Sequence, residues 1–73
     1  MKIASRQIFD KLSRINYNDD SYYYGQEYDF VRDGYGKYCN KDTSIIIAGY
    51  WQHDECVEIL SEEDIENILK DLY

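Results

Sequence analysis

The chain has 73 residues, 44% of them hydrophobic and 16% aromatic, and carries fifteen acids against eight bases for a net charge of −7. That length allows one domain near the lower limit of independent folding, and the aromatic content excludes a disordered acidic tail. No apolar run approaches the roughly 20 residues that cross a bilayer, and the charged start MKIASRQIFDKL is not a secretory signal. Two cysteines, Cys39 and Cys56, are too few for a disulfide scaffold and read as reduced thiols of a cytosolic protein.

Taken in chain order, Ile8, Phe9, Leu12 and Ile15 fall on one helical face behind Ser5 as a cap, which predicts a helix over residues 6–15. NYNDD then makes a turn. EYDFVR, residues 27–32, alternates like a strand, Asp33–Gly34 is a hairpin signal, and YGKYC returns as the second strand. NKD turns into TSIIIAGYW, a nine-residue strand candidate rich in β-branched and aromatic residues, and QHDE turns into CVEIL.

The carboxyl end carries the clearest helix signals. Ser61 and Asp64 form a capping pair, Leu60 and Ile65 a hydrophobic staple, and Glu62, Glu63 and Asp64 suit the positive end of the helix dipole. Ile65, Ile68, Leu69 and Leu72 form its apolar stripe. The expected architecture over 1–73 is a single α+β domain: a small antiparallel sheet of three to four strands with an N-terminal and a C-terminal helix, in the order α-β-β-β-β-α.

Chemistry is thinly represented. His53, Asp54, Cys56 and Cys39 fall short of the four paired ligands of a closed zinc site, and no Cys–His motif marks a nucleophile. Gly25, Gly34, Gly36 and Gly49 do not form a phosphate loop. The expectation is a protein that is not an enzyme and holds no metal and no cofactor.

Charge distribution points instead to a surface. Residues 1–15 hold Lys2, Arg6, Lys11 and Arg14 against Asp10, a local +3, and the remaining residues carry −10. From Asp54 to Glu66 there are seven acids and no base. Such a surface repels nucleic acid and favours a basic protein. The segment NDDSYYYGQEYDF sets tyrosines among carboxylates, a combination suited to gripping Arg and Lys through charge and ring faces. The expected partner-binding residues are Asp19, Asp20, Tyr22, Tyr23, Tyr24, Glu27 and Asp29 from the first region, and Asp54, Glu55, Glu58, Glu62, Glu63 and Glu66 from the second. Because neighbouring side chains alternate along a strand, at least one of the three consecutive tyrosines is expected to face solvent.

GYGKYCNKDTSIII, from Gly34 to Ile47, resembles the central hairpin of a type I-F anti-CRISPR family through Gly34, Tyr35, Lys37, Tyr38, Asp42, Ser44 and the run Ile45–Ile47. Members of that family are small acidic phage proteins that mimic double-stranded DNA on a CRISPR surveillance complex. The chain departs from them in its basic first segment, its tyrosine cluster and its shorter length. The resemblance implies a monomeric or small homo-oligomeric inhibitor in the host cytoplasm. Its partner would be a basic, nucleic-acid-binding defence effector, with no contact to nucleic acid or membrane. An antitoxin or immunity protein neutralising a basic nuclease, or an inhibitor of a uracil glycosylase or restriction enzyme, shares the same physics.

Overall fold

The computed structural model describes residues 2–73. Six strands, β1 (Ile3–Phe9), β2 (Leu12–Tyr17), β3 (Tyr22–Tyr28), β4 (Val31–Asn40), β5 (Ile45–Gln52) and β6 (Glu55–Ile59), precede one helix, α1 (Glu62–Leu72). The strands pair in sequence order as one open antiparallel sheet. This corrects the expected sheet of three to four strands between two helices.

The first correction is the amino end. Residues 6–15 form a hairpin rather than a helix, with Phe9 opposite Leu12 and Arg6 opposite Ile15. Asp10 takes a left-handed φ of 59°, which Asp tolerates, and breaks the helical path. The apolar spacing over Ile8, Phe9, Leu12 and Ile15 mimics a helical stripe because both faces of this sheet need apolar side chains. Leu12 serves one face and Ile15 the other.

The second correction concerns a turn. β4 runs straight through Asp33–Gly34, and the chain reverses at Asp29–Phe30, where both residues are left-handed with φ of 50° and 68°. Two such residues give the turn whose twist matches the flanking strands. A left-handed aromatic is costly, and its neighbours offset this: Glu27 accepts the Phe30 N–H at 3.2 Å, and the Arg6 guanidinium lies 4.4 Å from the Phe30 ring centroid. His53 and Asp54 make the equivalent turn between β5 and β6. The TSIIIAGYW and CVEIL strands and the final helix form within a residue or two of expectation.

α1 packs on one face of the sheet, over β4 and β5. Ile65 and Leu69 join Leu12 and Ala48 there, with Tyr24, Tyr35, Leu60 and Leu72 at the margin. Ser61 caps the helix, its Oγ accepting the Asp64 N–H at 3.0 Å.

Among the described residues no helix or further strand covers the opposite face, yet Ile15, Tyr17, Tyr23, Tyr38 and Trp51 are buried on it as a second cluster. They are buried because the sheet curls around them. The curl has a sequence cause: Gly25, Gly36 and Gly49 stand directly opposite one another across β3, β4 and β5. A row without side chains lets a sheet bend sharply, and aromatic rings fill the space it leaves. A Cβ on Gly36 would collide with the Tyr23 ring. Trp51 Nε1 donates to the Gly36 carbonyl at 3.1 Å, and the Tyr23 and Trp51 rings meet edge to face at 5.5 Å.

Candidate partner-binding surface

A consecutive meander puts alternate turns at opposite ends of the sheet. Asp29, Asp54 and Glu55 therefore share one end with Asp10, and Asp19 and Asp20 lie at the other with Asp42. A seven-residue strand such as β3 separates the two ends by roughly 20 Å at about 3.3 Å per residue. Asp29 of the first region thus shares an end with Asp54 and Glu55 of the second, while Asp19 and Asp20 lie at the opposite end.

Several of the expected binding residues are committed to the fold. Tyr23 is 0% exposed, and its hydroxyl donates to the Gln26 carbonyl at 2.6 Å. Burial raises its pKa well above the ordinary phenol value. The Glu27 side chain is only 3% exposed and is ion-paired with Arg6. Tyr22 and Tyr24 are half-buried on the helix side, Tyr22 beneath the Arg14 guanidinium at 3.9 Å and Tyr24 against Phe9 at 6.2 Å. The three tyrosines alternate: Tyr23 is fully buried, and Tyr22 and Tyr24 point to the opposite face, where each keeps part of its surface in solvent. Asp19 is exposed but accepts both the hydroxyl and the backbone N–H of Ser21, which holds its carboxyl below the usual range.

Asp54 is the most constrained acid of the second region. Its Oδ1 accepts the Arg32 N–H at 3.0 Å and Arg32 Nε at 2.8 Å, and Arg32 Nη2 reaches the Asp54 carbonyl at 2.9 Å. Burial pushes the Asp54 pKa up, but the hydrogen bonds and charge of Arg32 outweigh it and hold the carboxyl below its ordinary value. So anchored, the Arg32 side chain, 13% exposed, lies along the curled face over Trp51, Tyr38 and Tyr17 at 4.6, 5.5 and 5.9 Å from their ring centroids. Sequence reasoning missed Arg32. Its only signal is its place in β4 on the same face as Tyr38, visible once Asp33–Gly34 is read as strand.

The remaining acids of the second region stand free of the core. Glu55 and Glu58 on β6, and Glu62, Glu63 and Asp64 in the first turn of α1, are all exposed. Glu66 is exposed as well and touches Lys37 at 3.4 Å. Leu60 and Ser61 alone separate β6 from α1, so Glu55, Glu58 and the first-turn acids of α1 succeed one another along this stretch of chain, while Glu66 lies further on, against Lys37 of β4. Among the described residues no group of His, Cys, Asp and Glu is placed to hold a metal ion, and Cys39 and Cys56 are unbridged. No helix among them is long and apolar enough to cross a membrane.

The fold and this stretch define a small acidic meander protein with a single helix among the described residues, whose distinctive surface is the run of exposed carboxylates from β6 into the first turn of α1. Compared with protein-family models, curated proteins and solved structures, the chain matches none.

Proposed function

We propose that this protein is a small acidic inhibitor that docks its β6–α1 margin onto the basic, nucleic-acid-binding surface of another protein and occupies the place of duplex phosphates. The observation that carries this reading is the exposed series Glu55, Glu58, Glu62, Glu63, Asp64 and Glu66, uninterrupted by any base. Carboxylates three and four apart on a helix lie about 5–6 Å from one another, close enough to engage successive Arg and Lys side chains. The resemblance over Gly34–Ile47 makes a CRISPR effector of the type I-F class the first target to try. Asp19, Asp20 and Asp29 lie outside the margin and contribute to long-range steering only.

A gel-shift competition tests it. Purified effector is bound to its duplex target and titrated with the wild-type chain or with a Glu55→Lys/Glu58→Lys/Glu62→Lys variant. Displacement of the duplex by the wild type and its loss in the variant are expected. Measurable binding of the isolated protein to duplex DNA overturns the reading, as does equal displacement by the variant.

A further inference from the structure

The sheet is open, and its two outermost strands differ in charge. β1 is flanked by Lys2 and Lys11 against Asp10, its Arg6 being paired with Glu27, and β6 carries Glu55 and Glu58, the preceding Asp54 being paired with Arg32. Both strands also expose apolar side chains: Ile3, Ile8 and Phe9 on β1, and Val57 and Ile59, 55% and 79% exposed, on β6. α1 packs on the sheet face over β4 and β5. A strand at the margin of a sheet presents backbone N–H and C=O groups that another strand can pair with, and charge at such an edge blocks pairing with its own kind. Here that block is selective. Two β6 edges repel, two β1 edges repel, and a β1 edge matches a β6 edge.

We infer that β1 of one copy pairs with β6 of a second copy, so that the chain self-associates head to tail. Antiparallel pairing of this kind continues the meander, because the incoming β1 takes the position a seventh strand would occupy. The interface is heterologous, so association runs on into short open chains or closes as a ring. Irregular register at Ala4 in β1 and at Val57 in β6 shortens the paired stretch. Association is therefore weak and appears only at high protein concentration. At physiological salt the Debye length is about 8 Å, so the overall negative charge is screened while charges facing each other across the junction still act. This inference goes beyond the partner-binding reading and does not depend on it.

Sedimentation velocity on the full chain at physiological salt, carried into the millimolar range, is the measurement. The wild type is expected to gain mass with concentration. Glu55→Lys/Glu58→Lys, which makes both edges basic, and Lys2→Glu/Lys11→Glu, which makes both acidic, are each expected to remain monomeric alone. An equimolar mixture of the two is expected to associate again, since each variant's β1 then faces an oppositely charged β6. That restoration also shows that both variants are folded. A wild type that stays monomeric throughout overturns the inference. Either variant associating alone as the wild type does, or a mixture that stays monomeric, overturns it equally.

Discussion

The Arg32 guanidinium lies 4.6 Å from the centroid of the Trp51 ring, on the face of the sheet opposite α1. One long cationic side chain, tethered by Asp54, thus lies across the aromatic layer that a second helix covers in many small domains. Replacing it removes both the cation–ring attraction and the stem that shields the rings. Arg32→Ala is expected to cost on the order of 2 kcal/mol or more, read as a lower denaturation midpoint in urea. Arg32→Lys recovers only part of this, since it keeps the charge but loses the fork that grips Asp54.

Acid should act through Asp54. Its carboxyl ionises more readily in the folded chain than in the unfolded one, so its contribution is fully present above the ordinary value of 3.8. That contribution is lost as pH falls through the lowered folded value. Thermal melts at a series of pH values below 5 are expected to show a steeper acid loss in the wild type than in Asp54→Asn.

Base should act through Tyr17. Burial chiefly, with Asp54 adding and Arg32 opposing, pushes its phenol up to about 12 from 10.0. A raised phenol favours the folded state below the unfolded value, and this contribution disappears between pH 10 and about 12. Alkaline unfolding followed by circular dichroism is expected to begin in that window, and Tyr17→Phe to delay it.

The three consecutive tyrosines should separate cleanly. Tyr23→Ala empties the centre of the curled face and is expected to cost about 3–5 kcal/mol, the range for large aromatic truncations in cores. Tyr22→Ala, at a half-buried site under Arg14, is expected to cost markedly less. Equal losses in thermal melts of the two would contradict the alternation of the strand.

The glycine row makes a complementary test. Gly36→Ala drives a methyl group into the Tyr23 ring, and is expected to destabilise by about 1–3 kcal/mol as an overpacking defect. Combining it with Tyr23→Ala is expected to cost less than the sum, since the ring that clashes is gone.

Much of the carboxyl half was legible in the residues themselves. Ser61, Leu60 and the acids of the first turn announce α1 because capping, the staple and the helix dipole are local effects within a few residues. The Ile45–Gln52 strand declared itself through β-branched and aromatic residues, and the acidic margin through an uninterrupted charge pattern. Tertiary structure decided the rest. Residues 6–15 carry apolar side chains for two faces at once, so their spacing reads as a helical stripe until β3 pairs with Ile15. The turn at Asp29–Phe30 uses left-handed residues without a glycine, held by the nearby Glu27 carboxylate and by Arg6 from β1, while the Asp33–Gly34 pair sits inside a strand. The tyrosine run looked like a surface because Tyr is amphipathic. The burial of Tyr23 depends on Gly25, Gly36 and Gly49 coming into one row, with its ring lying over Gly36. Those are long-range coincidences of register, which no local pattern along the chain encodes.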